Sequence, residues 1–185
     1  MYKNTKQSYG VVSIVIHWLS AIAVIGLFAL GYWMVDLNYY SEWYRTGPHI
    51  HKSIGLLLLA LTLFRLVWKS LNDTPTALTD NKAEAKLGSM AHMALYILLL
   101  LVMVSGYLIS TADGRGIEVF TWFTVPSAGE LFPEQEDVAG LIHEYAAYAI
   151  IGLALLHAVA ALKHHFIDRD NTLTRMLKTN MNRNH

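Results

Sequence analysis

The chain carries nine histidines in 185 residues and no cysteine. Two of them, His143 and His157, stand 14 residues apart in the apolar stretch 138–163. On a helix this spacing puts both on one face, roughly 21 Å apart along the axis. An imidazole in hydrocarbon is costly, so it turns to the interior and takes a partner there. Neutral imidazole binds a metal through one ring nitrogen, and the other N–H fixes the ring's tautomer and orientation. The lack of cysteine excludes disulfides, iron–sulfur ligation and thiolate zinc sites.

Partners for these histidines must come from other apolar stretches. Hydrophobic residues make up 54% of the chain and charged residues 15%, too apolar a mixture for an ordinary soluble domain. Four stretches, about 10–35, 49–68, 87–110 and 138–163, are long enough to span a bilayer. No small-residue cleavage site follows a short apolar core near the start, so the first stretch reads as a retained helix. Short polar connections and the absence of a repeat point to a single domain over 1–185. The expected fold is an all-α integral membrane protein, a four-helix transmembrane bundle. A net charge of zero removes any general field for nucleic acid.

Basic residues set the expected orientation. With the N-terminus cytoplasmic, that side holds Lys3, Lys6, Arg65, Lys69, Lys82, Lys86, Lys163, Arg169, Arg175, Lys178 and Arg183, leaving Arg45, Lys52 and Arg115 outside. Eleven against three is a strong positive-inside bias and makes both termini cytoplasmic. The longer outer loop contains the aromatic FTWFTVP, suited to the membrane interface.

Depth then sorts the histidines. His51 at the start of the second stretch falls level with His143, and His17 in the first falls level with His157. Two pairs from different helices at two depths are what two bis-histidine b-type haems require. Neither iron would keep an open position, so the expected chemistry is one-electron transfer. Two further positions repeat the 14-residue interval, Gly31 after His17 and Arg65 after His51. Gly31 could make room for the outer porphyrin, or be a small residue at a helix contact. Arg65 could pair with a propionate of the inner haem, or snorkel to the interface. His49 would point about 200° away from His51, which is preferred as the ligand. His92 has no remaining partner at its depth and reads as supporting, structural or quinone-facing. His185 carries no signal.

IVIHWL, HIHKSIGLLLLALTLFRLVW, MAHMALYILL, WFTVP and LIHEYAAYAIIGLALLHAVAALKHHFIDRDNTLTRML resemble the bacterial cytochrome b561 family over nearly the whole chain. The last segment is the most specific, with its histidine spacing, its HH pair and its D-N-T-L-x-R-M tail. The resemblance places the four haem ligands on His17, His51, His143 and His157, the same set that depth selects. It implies a multi-pass protein of the bacterial inner membrane. It also implies a superoxide oxidase, passing electrons from superoxide at the outer face through two haems to ubiquinone. Lys52, beside His51, and Arg115 in the outer loop could form a local cationic funnel, although outer acids outnumber outer bases. On the inner side Trp18, His164 and His165 are the candidates for the quinone, Trp18 being equally suited to anchoring at the interface.

Two other classes compete. One is a cytochrome b subunit that links a periplasmic oxidoreductase to the quinone pool, with the acidic, aromatic outer loop as its docking surface. The other is a histidine-based metal transporter, which would need deep carboxylates. Glu144 beside His143 is the single acid placed to serve, and it reads more simply as an interfacial group.

Overall fold

The computed structural model describes residues 1–178, so Arg183 and His185 lie outside the described residues. Four long helices dominate: α1 (Val11–Met34), α2 (Thr46–Ser70), α3 (Lys82–Thr111) and α4 (Gln135–Phe166). All four are long and apolar enough to cross a membrane. Their surfaces carry the apolar residues, with Ile22 67% exposed and Leu156 67% exposed. Ser20, Ser53, Thr62, Ser105 and Thr111 are buried. Apolar side chains outside and small polar ones inside suit a hydrocarbon solvent, where helix contacts favour small side chains.

Three helices run past the apolar stretches that announce them. Helix α2 begins at Thr46 with Pro48 in its first turn, where a missing N–H costs nothing. Helix α3 begins at Lys82, five residues before its apolar run. Asn81 caps it by accepting the N–H groups of Ala83 at 3.0 Å and Glu84 at 3.4 Å. Helix α4 opens with Gln135, which is buried, accepts the Leu131 N–H at 2.7 Å and donates to the Leu108 carbonyl at 2.9 Å. Hydrophobic runs mark the hydrocarbon span, whereas helices end where caps satisfy their terminal amides.

The aromatic loop is not purely irregular. Strands β1 (Ile117–Val119) and β2 (Phe123–Val125) form an antiparallel hairpin, pairing Ile117 with Val125 and Val119 with Phe123. Ser53 pins it to α2, accepting the Phe120 N–H at 2.9 Å and donating to the Glu118 carbonyl at 3.4 Å. Trp122 and Phe123 stay exposed, as an interfacial segment would.

The chain divides into two compact units. One comprises Met1–Ser20, Leu61–Leu95 and the segment from Gly152 onward; the other comprises Ala21–Ala60 and Tyr96–Ile151. Each is built from a segment of every one of the four helices. In the first, the tail motif is docked: Trp18 donates its indole N–H to the Met176 carbonyl at 2.7 Å, and Arg175 donates to the Thr76 carbonyl at 2.7 Å.

Candidate functional site: two histidine pairs and a basic cleft

In the second unit His51 of α2 faces His143 of α4, ring centres 6.1 Å apart. His143 is aimed by α3, whose Val102 carbonyl accepts from Nδ1 at 2.7 Å, leaving Nε2 as the nitrogen that could bind a metal. The Ser105 hydroxyl lies 3.4 Å from the same Nδ1. Both rings rest against glycine. A Cβ on Gly31 would stand 3.2 Å from Cε1 of His51, and one on Gly106 would stand 3.0 Å from Cε1 of His143. Gly31 therefore lies against the His51 ring itself. Gly106, Ser105 and Val102 were not singled out from the sequence. Gly106 follows His92 by 14 residues, the same interval that marks Gly31 and Arg65, so a signal for it was present.

In the first unit His17 of α1 faces His157 of α4, ring centres 6.5 Å apart. Arg65 Nη2 donates to Nδ1 of His17 at 3.3 Å, since a guanidinium has donors only. His92 is not partnerless: its ring centre lies 5.1 Å from that of His157, edge to face. Three imidazoles thus meet here. Sorting by depth assigns two rings to each level, whereas here a third ring packs on one of them.

A haem group is tested by these distances. Two metal–imidazole bonds of about 2 Å, with about 1 Å more from each nitrogen to its ring centre, require ring centres about 6 Å apart. The pairs His51–His143 and His17–His157 meet that requirement, and His92–His157 is too close for it. His51 Nδ1 is buried without a hydrogen-bond partner. The residues present fit two bis-histidine sites.

The remaining candidates separate. Lys52 and Arg115 come together, lining one cleft of about 520 Å³ with Met34, Tyr44, Arg45, Pro48 and His49. His49 belongs to this cleft, its ring packing edge-on against Phe120 at 6.2 Å, while His51 faces His143. Arg115 Nε donates to Asp113 at 2.7 Å, and its Nη2 reaches the same carboxylate oxygen. These bonds hold the Asp113 carboxyl below its ordinary value, with the Lys52 charge adding to the effect. Trp18 has its N–H committed to Met176. His164 and His165 part company. His164 Nδ1 lies 3.0 Å from both Asp168 and Asp170, with Glu84 3.8 Å from its Nε2. His165 Nδ1 is buried without a hydrogen-bond partner, and its ring packs on Phe166. The Lys163 ammonium bridges Glu84 at 3.1 Å and Asp168 at 2.8 Å.

Comparison with known proteins gives the family. A family model described as prokaryotic cytochrome b561 matches residues 8–179. "Cytochrome b561 homolog 2" of Escherichia coli strain K12 is 48% identical over 177 residues, covering 95% of this chain and 94% of its own. "Cytochrome b561 homolog 1" of the same strain is 29% identical over 171 residues, covering 89% and 93%. "Probable superoxide oxidase CybB" of Yersinia pestis is 28% identical over 180 residues, covering 92% and 96%. The match spans nearly the whole chain, and the chain belongs to the prokaryotic cytochrome b561 family, haem b electron-transfer proteins that cross a bacterial membrane several times.

Proposed function

We propose that this chain carries two haem b groups, one held by His51 and His143 and the other by His17 and His157, and moves electrons from superoxide to ubiquinone. The observation that carries the reading is the pair of ring separations, 6.1 and 6.5 Å, each with room for one iron. When bound, each haem supplies reversible one-electron storage with no open coordination position. The protein's part is to aim, to insulate and to place charge. Val102 and Ser105 hold His143, and Gly31 and Gly106 let neighbouring helices close on the two rings. Arg65 sits at His17 as a cation. A propionate carboxylate would be a stronger acceptor for it than an imidazole, and moving the guanidinium there would return Nδ1 to a donor role.

Lys52 and Arg115 favour an anion at the cleft next in sequence to His51, which suits superoxide as donor. Two superoxide ions lose one electron each and leave as dioxygen; ubiquinone gains both electrons and two protons and leaves as ubiquinol. His165 supports the quinone end. Nδ1 of both His164 and His165 is buried without a hydrogen bond, but His164 Nδ1 lies 3.0 Å from the Asp168 and Asp170 carboxylates and His165 has no such neighbour among the described residues. Trp18 offers its ring there and not its N–H. The positive-inside pattern supports cytoplasmic termini, and the family supports the bacterial inner membrane.

The test is to mix purified, haem-loaded protein with superoxide and follow haem reduction and quinone-dependent turnover. Fast reduction with ubiquinol formation is expected. Slow reduction without quinone turnover would replace this reading with that of an electron-transfer subunit serving a periplasmic oxidoreductase.

A further inference from the structure

The basic cleft is larger than its proposed donor needs. At about 520 Å³ it exceeds the roughly 30 Å³ share of one water molecule many times over and falls in the size class of small-molecule sites, about 300–1,000 Å³. A diatomic ion uses little of it.

Its lining selects charge. Arg45, Lys52 and Arg115 face one cleft. Arg115 is matched by Asp113, while among the described residues neither Arg45 nor Lys52 forms an ion pair. Two backbone amides at the start of α2 are already used: Gly47 N–H donates to the Trp43 carbonyl at 2.9 Å, and His49 N–H to the Arg45 carbonyl at 3.2 Å. The basic side chains carry the recognition. Guanidinium forks match the planar or tetrahedral oxygens of carboxylates and phosphates two at a time. Met34, Tyr44 and Pro48 complete the lining, so an organic anion finds apolar as well as charged neighbours there.

We propose that this cleft binds a soluble organic oxyanion carrying two or more negative charges, a polycarboxylate or an organic phosphate. Arg45 and Lys52 are its main contacts, and the bound anion excludes superoxide from the same place. The competition rests on the superoxide reading; the binding does not.

Citrate serves as the probe. Titrated calorimetrically into haem-loaded protein in neutral detergent at low ionic strength, it should show one saturable event. Arg45→Gln and Lys52→Gln should each weaken that event at least tenfold, and Glu130→Gln should leave it unchanged. In nanodiscs of phosphatidylcholine, citrate should slow haem reduction by superoxide with the dissociation constant that calorimetry gives. Absence of binding, or equal binding by all variants, overturns the proposal even if superoxide still reduces the haems. Loss of citrate binding when phosphatidylglycerol is added to the nanodiscs overturns it in favour of a lipid headgroup. Citrate binding with the expected residue dependence, in a protein that superoxide does not reduce, leaves the site standing and removes the donor assignment.

Discussion

Gly106 backs the imidazole of His143: a Cβ built on it would stand 3.0 Å from Cε1 and 3.1 Å from Nδ1. Gly31 stands in the same relation to His51, at 3.2 Å. The two rings of one pair are thus each pressed by a glycine from another helix, and ring position is coupled to helix position.

Gly106→Ala separates two opposing effects. Helix propensity alone favours alanine by up to about 1 kcal/mol. Overpacking against the ring costs about 1–3 kcal/mol. The expected outcome is net destabilisation with partial loss of one haem, and a larger loss in Gly106→Val. Haem-to-protein ratio after detergent extraction, read beside thermal unfolding, checks it; an alanine variant more stable than the parent with both haems retained would refute the contact.

Removing ligands should act pair by pair. His51→Ala and His143→Ala are expected to delete the same haem and keep the other, and His17→Ala and His157→Ala to do the reverse. His92→Ala should keep both, since its ring lies too near His157 to share an iron with it. Pyridine haemochrome content and redox titration distinguish the cases.

Arg65 places positive charge 3.3 Å from His17. A cation favours the state holding one more electron, so Arg65→Leu should lower the midpoint potential of the haem at His17. A shift on the order of 50 mV, about 1 kcal/mol for one electron, is expected. Arg65→Lys should retain part of it. Potentiometric titration reads the result, and a shift confined to the other haem would contradict the placement.

Asp113 tests the field at the cleft. Asp113→Asn releases Arg115 from its carboxylate and should raise the association rate of an anionic donor several-fold at low salt, an advantage that fades as ionic strength rises. Stopped-flow haem reduction across a salt series measures it. The pH dependence follows from the direction of the shift. Asp113 is held below its ordinary value in the folded protein. Its contribution to stability is therefore present above the unfolded carboxyl value of about 3.9 and is lost as pH falls through the folded one. No change from this pair is expected between neutral pH and about pH 5.

Much of this arrangement is legible in the sequence because a membrane helix converts residue number into depth. A 14-residue interval recurs in every helix, as His17 to Gly31, His51 to Arg65, His92 to Gly106 and His143 to His157. Depth along the spans pairs His51 with His143 and His17 with His157, and the interval places Gly31 and Arg65 at the depth of the other pair. The unread fourth held Gly106, because glycine offers no chemistry of its own and its meaning lies in what it allows to approach.

What the sequence by itself determined is the set of spans and the matching of histidines by depth, since apolar length and helical rise are local properties. Tertiary structure alone decided which groups share a place at equal depth. It set His92 on His157, drew Arg115 to Lys52 and Arg45, gave Val102 to His143, and divided His164 among carboxylates from the neighbouring His165. It also formed the hairpin at Ile117–Val125, whose three-residue strands are too short to show a period and are held by Ser53 of a distant helix. Rotation about a helix axis and the fold of a loop depend on contacts between segments far apart in the chain, and no spacing within one segment records them.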